Sequence, residues 1–119
     1  MDDLLCQMGE RIVARRKQRR LTQEELAEAA GVTPQTVSTA ELGKKALRPI
    51  NIIKICAALE ISPDYLLLGR ISNEDTSILV QKVSHLTPEQ YRHLEDVIDS
   101  FIAVAASNEK TVYPGRIDT

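Results

Sequence analysis

The stretch Leu21–Glu41, LTQEELAEAAGVTPQTVSTAE, begins a helix, interrupts it at Ala30-Gly31-Val32, and at once begins another. Thr22 followed three residues later by Glu25 is a capping box, in which each residue satisfies a free backbone N–H of the other. Leu26, Ala27 and Ala30 share the inner face of this helix. Gly31 ends it, because glycine takes the left-handed conformation without a Cβ penalty. Thr33 is a second N-cap, and Pro34 sits at the first helical position, where a missing N–H costs nothing. In the helix that follows, Val37 and Ala40 point inward and Gly43 marks the end. Two short helices joined by a tight turn containing glycine form a helix-turn-helix unit. Ala27 is small where the second helix crosses, and Leu26, Val32 and Val37 fill the contact.

The outward residues of the second helix are Gln35, Thr36, Ser38 and Thr39. Gln bonds adenine at N6 and N7, while Thr and Ser bond either base type or touch a thymine methyl. A helix entering the major groove N-terminus first presents such residues to base edges. These four are therefore the base-reading candidates. Gln23 and Thr33 stand at helix starts, whose free N–H groups and positive dipole favour a phosphate. Lys44, Lys45 and Arg48 follow the reading helix and suit the nucleic-acid backbone beside it.

The bulk properties fit this picture. The chain has 119 residues, 43% of them hydrophobic but only 3% aromatic, so its core is aliphatic and an all-α fold is expected. No apolar run approaches the roughly 20 residues that span a bilayer. The acidic start (Asp2, Asp3) is unlike a signal peptide, and a cytoplasmic protein is expected. Cys6 and Cys56 are read as unpaired packing or surface thiols, and with His85 and His93 they do not make a metal site. No cofactor is expected. The net charge of −2 divides unevenly. Residues 1–48 carry nine basic and seven acidic side chains, and residues 49–119 carry six and ten. A basic front and an acidic back suggest different partners for the two parts.

Around the central unit, periodicity predicts a first helix from Leu4 to Arg19, closed by the basic run RRKQRR, whose cations suit a helix C-terminus. A fourth helix is predicted over Ile50–Glu60, with Ile52, Ile53, Ile55, Cys56 and Leu59 mostly buried. A fifth follows Ser62-Pro63, over Asp64–Leu68, and Gly69 closes it. This gives a DNA-binding domain over 4–69, a linker over 70–76, helices over 77–84 and from Pro88 to Ala106, and a polar tail over 107–119. The last helix starts with another cap, Thr87, with Gln90 at the capping-box position.

Residues Gly9–Gly69 resemble the phage repressor/Cro family of regulators, also called the xenobiotic-response-element type. The resemblance is carried by Gly9-Glu10-Arg11-Ile12, Arg16, Leu21-Thr22-Gln23-Glu24-Glu25-Leu26-Ala27, Ala30-Gly31-Val32, Val37-Ser38, Glu41, Gly43-Lys44, and Leu59 with Ser62-Pro63-Asp64-Tyr65-Leu66-Leu67-Leu68-Gly69. It implies a five-helix DNA-binding domain, a phosphate contact from Gln23, base reading from the start of the third helix, and a partly buried ion pair between Arg16 and Glu41. The chain departs from the family pattern at Arg20, where Gly is common, at Thr39, where Arg or Lys is common, and at Leu42, where Asn is common. Pro34 replaces a base-reading Gln of some relatives, so base recognition is expected to rest mainly on Gln35, with Thr36, Ser38 and Thr39 in support.

One such domain reads only a few base pairs, so useful specificity calls for two linked copies. The last helix supplies a seam: Tyr91, Leu94, Val97, Ile98, Phe101 and Ile102 recur by threes and fours. The expected protein is a homodimeric repressor that reads a palindromic site in double-stranded DNA. It has no membrane role and no catalytic set of Ser/His/Asp, P-loop or metal-cluster type. Two alternatives stay open. The last two helices fold back on the first domain, or they hold a different protein, as in an antitoxin.

Overall fold

The computed structural model describes residues 2–107. They form α1 (Asp2–Gln18), α2 (Gln23–Ala30), α3 (Pro34–Glu41), α4 (Pro49–Leu59), α5 (Pro63–Leu68), α6 (Asn73–Val83) and α7 (Pro88–Ser107), with no strand among the described residues. The described chain up to Val80 makes one compact unit, and the chain from Gln81 makes a second.

The core of the first unit is aliphatic. Met8 and Ile12 of α1, Leu26, Ala27 and Ala30 of α2, and Val37 and Ala40 of α3 meet Ile55, Cys56 and Leu59 of α4, followed by Ile61 and Leu66. The caps read from the sequence are present. Thr22 and Glu25 make both bonds of the capping box, Thr33 accepts from the Thr36 amide, and Ser62 accepts from the Tyr65 amide. In the second unit the Thr87 and Gln90 side chains each bond the other's backbone N–H.

Some boundaries and faces differ from the sequence reading. α4 starts at Pro49 with Arg48 as its N-cap, so proline again occupies the first turn. Ile53 is 59% exposed rather than buried, and Ile50 is exposed too. A helix turns about 100° per residue, so Ile53 lies well outside the arc on which Ile52, Ile55, Cys56 and Leu59 face inward. α6 starts at Asn73, four residues ahead of the predicted Ser77.

The reason for that early start is Asp75. Its carboxylate accepts hydrogen bonds from the Ser72 amide at 2.9 Å and the Ser72 hydroxyl at 3.1 Å. It also accepts from the Ser62 amide at 2.9 Å and the Ser62 hydroxyl at 2.6 Å. The Ser72 amide of the first pair, together with the Asp75 amide donating to the Ser72 hydroxyl at 3.3 Å, makes a capping box at the start of α6. The second pair comes from a residue thirteen positions away, which no local rule anticipates.

α1 runs along several other helix ends. Arg11 donates to the Leu66 carbonyl at 2.9 Å. Arg15 donates to the carbonyls of Leu59 at 2.8 Å and Glu60 at 3.3 Å. Arg19 pairs with the Glu60 carboxylate. Arg11 and Arg15 satisfy carbonyls at the ends of α5 and α4, and all three cations, spaced by four along one face, oppose the negative dipoles there. The basic run therefore does more than close α1.

α1 and α3 approach backbone to backbone. A Cβ on Gly9 would lie 2.4 Å from the Glu41 carbonyl oxygen and 2.7 Å from that of Ala40. Alanine would favour an isolated helix by about 1 kcal/mol over glycine, whereas overpacking a core costs roughly 1–3 kcal/mol. The atoms met here are main-chain carbonyls of α3, which move only with the whole helix. Gly9→Ala is accordingly expected to lower stability by at least about 1 kcal/mol, read as a lower melting temperature on thermal denaturation.

Burial works to raise the pKa of Asp75, but the hydrogen bonds from Ser62 and Ser72 outweigh it and hold the carboxyl below its usual range. A depressed folded pKa contributes stability that is present above the unfolded value of about 3.9 and is lost as pH falls below it. Urea titrations should therefore find Asp75→Asn destabilised relative to the native chain at pH 7, with the gap shrinking below about pH 4.

Candidate nucleic-acid interface

α3 has eight residues, about 12 Å of helix, and an isolated helix that short does not hold together in water. Its two ends are fixed by different means. At the N-terminus Thr33 bonds the Thr36 amide at 3.1 Å and its hydroxyl meets the Thr36 hydroxyl at 2.9 Å. At the C-terminus Glu41 carries negative charge at the negative end of a dipole, which by itself is unfavourable. Arg16 reverses the balance. Its Nε and Nη2 donate to the two Glu41 oxygens at 2.6 and 3.2 Å, and its Nη1 donates to the Leu21 carbonyl at 2.8 Å. The pair is partly buried, with the Arg16 side chain 13% and the Glu41 side chain 4% exposed. The hydrogen bond to Glu41 raises the Arg16 pKa against the opposing effect of burial.

Gln23 joins the same carboxylate, donating its amide to Glu41 at 2.8 Å. A glutamine amide has two N–H donors. One orients the side chain against Glu41 and leaves the second for another acceptor at the start of α2.

The outward residues of α3 lie together. Gln35 is exposed, and Thr36, Ser38 and Thr39 are half-buried. The Thr39 hydroxyl turns back to its own helix, donating to the Gln35 and Thr36 carbonyls at 2.9 and 3.3 Å. Its methyl group is then what it offers outward. Gln35, Thr36 and Thr39 line a shallow groove of about 200 Å³, whose other wall is Lys45, Ala46, Leu47, Arg48 and Asn51. Lys44, Lys45, Arg48 and Thr33 are exposed. Two of the three cations placed after the reading helix by sequence thus stand on the same groove as the base-reading candidates. Asn51 was not singled out from the sequence. The signal was the Arg48-Pro49 start of α4, which sets Asn51 in the first turn beside the groove.

In the second unit the predicted seam is open. On α7 Tyr91, Val97, Ile98, Phe101 and Ile102 are exposed, Phe101 at 70%, and Leu94 is half-buried. Where α6 ends and α7 begins, Val83, Leu86, Pro88, Tyr91 and Arg92 line a groove. Arg92 lies over the Tyr91 ring, 5.4 Å from its centroid, and pairs with Glu95. Both cysteines are free, Cys6 exposed and Cys56 buried, with burial foremost in pushing the Cys56 thiol up to about 11.

A short helix held at both ends against α1 and α2, with polar side chains outward and lysines at its exit, defines a helix-turn-helix domain. The helix-turn-helix family profile matches residues 12–66. The C2 repressor of Salmonella phage P22 is 37% identical over 70 residues, which are 59% of this chain and 32% of the repressor. An uncharacterised helix-turn-helix type transcriptional regulator of Bacillus subtilis, YqaE, is 41% identical over 59 residues, half of each chain. This chain thus spans between a third and a half of the length of these relatives. Among solved structures, the P22 c2 repressor in complex with a synthetic operator superposes with a TM-score of 0.51 at 40% identity, covering 53% of this chain and 96% of that one. A SinR–SinI protein complex gives a TM-score of 0.50 at 26% identity, covering 81% of this chain and 98% of the other. The chain belongs to the helix-turn-helix family, in its phage-repressor, xenobiotic-response-element branch.

Removing one partner of a buried ion pair leaves the other charge unpaired and costs about 3 kcal/mol or more, whereas replacing both with apolar groups of similar volume is often nearly neutral. Glu41→Ala should therefore shift the urea midpoint far more than the double replacement Arg16→Met/Glu41→Leu. A single-variant loss below about 1 kcal/mol would place this pair with exposed surface bridges instead.

Proposed function

We propose that this chain is a sequence-specific transcriptional regulator that binds double-stranded DNA in the cytoplasm, a dimeric repressor reading a palindromic operator through α3. The observation that carries the reading is the groove in which Gln35, Thr36 and Thr39 face Lys45, Arg48 and Asn51. It puts donors and acceptors suited to base edges within one major-groove width of cations suited to phosphates. The likeness to a repressor solved on a synthetic operator supports it. In this reading residues 4–69 bind DNA, with Gln35 the main base contact and Ser38 completing the reading face. Gln23, Thr33, Lys44, Lys45 and Arg48 take phosphates.

The α7 seam is assigned to a second copy of the chain. A run of apolar side chains this exposed is costly in water, and pairing places two half-sites about one helical turn (~34 Å) apart. The second reading is a different protein on the same seam. It is favoured by one comparison, the SinR–SinI complex, whose match covers 81% of this chain and so extends beyond residues 4–69.

The test is a salt series on a duplex selected from random DNA. The native chain should select a palindrome and show a steep fall of affinity with salt. Gln35→Ala should lose about 1–3 kcal/mol of discrimination at one base position of each half-site, while Lys45→Ala should weaken all sequences alike and lower the salt slope by roughly one per bound domain. Sedimentation at tens of micromolar should show a dimer for the native chain and a monomer for Phe101→Glu. A monomeric native chain without a selected site would turn attention to a protein partner.

A further inference from the structure

The step from the DNA-binding domain into α6 is held by one side chain. Gly69 closes α5 and Ser72 opens α6, so only Arg70 and Ile71 lie between them. Asp75 bonds the amide and hydroxyl of Ser72 with the same carboxylate that bonds the amide and hydroxyl of Ser62. Ser62 is 1% exposed, and its hydroxyl accepts the Tyr65 amide at 3.0 Å. Its single proton therefore goes to Asp75, in a charge-assisted contact of the strong kind. One acidic group closes the capping box of α6 and is, at once, the partner of the residue that caps α5.

The difference from a flexible connection is large on the scale of DNA. Seven unstructured residues over 70–76 would wander by about 15 Å, several base-pair steps of roughly 3.4 Å. Two half-sites joined through such linkers would tolerate changes in their separation. With α6 clasped, that freedom is removed on the domain side. Each added base pair then shifts the half-sites by ~3.4 Å and rotates them by roughly 34° against a fixed exit direction.

We infer that Asp75 is a positioning residue for operator spacing: it fixes the direction in which α6 leaves the DNA-binding domain, so that paired copies accept half-sites at one separation. The inference rests on the dimeric reading above.

The test uses the full chain and duplexes carrying the selected half-sites at the selected spacing and at one and two base pairs more. The native chain should lose at least tenfold in affinity on adding two base pairs, and Asp75→Asn less than threefold, with affinity for a single half-site within threefold of native. A second variant inserts Gly-Gly between Arg70 and Ile71, loosening the covalent connection but keeping the clasp, and should retain the native discrimination. Asp75→Asn discriminating like the native chain, or the glycine insertion relaxing the spacing, would overturn the inference and leave the dimeric reading standing. The insertion decides the matter alone if Asp75→Asn does not fold. A native chain that binds only isolated half-sites would overturn both.

Discussion

Everything the first unit presents outward depends on the Glu41 carboxylate. It lies at the end of a helix too short to be stable alone and at the end where its charge is least welcome. Arg16 from α1 makes a two-pronged bond to it, and Gln23 from the start of α2 adds a third hydrogen bond. The same guanidinium also takes the Leu21 carbonyl between α1 and α2. Three helices are thus registered on one buried charge pair. Its net contribution to stability is modest, because two ions had to leave water, but an arrangement that places α3 elsewhere leaves a buried charge without a partner. The pair therefore discriminates between positions of α3 more than it strengthens the fold.

α1 plays the complementary part. On the side of Gly9 its backbone lies against the carbonyls that end α3. On the side of Arg11, Arg15 and Arg19 it donates to carbonyls or a carboxylate at the ends of α4 and α5. Much of the basic character counted in residues 1–48 is therefore occupied inside the domain. Lys44, Lys45 and Arg48, which follow α3, remain exposed.

The helix-turn-helix unit was legible because its signals are local. Thr22 with Glu25, Thr33 with Pro34, and Gly31 at the turn each act within four residues, and the structure realises each of them. The aliphatic core was legible from helical spacing, except at Ile53, where a run of isoleucines hides which of them face inward. What could not be read were the bonds made across the sequence. Nothing near Asp75 announces Ser62, so α6 begins earlier than its own pattern suggests. Asn51 stands on the groove because α4 starts at Pro49 rather than at the predicted Ile50, which sets it in the first turn. Arg20 is a further case. It stands in the left-handed region at φ +60°, which favours glycine, and the strain of that choice is visible only in the backbone.

The inner face of α3 and its outer face are chemically independent. Val37, Ala40 and Glu41 face the domain, while the Gln35 side chain engages nothing among the described residues of its own chain. On the reading proposed above, a substitution at that outward position would change what the helix recognises with little consequence for whether it folds. A domain that works in this way would acquire a new operator by single changes while remaining above its stability threshold at every step, and two copies diverging at this one position would soon ignore each other's sites.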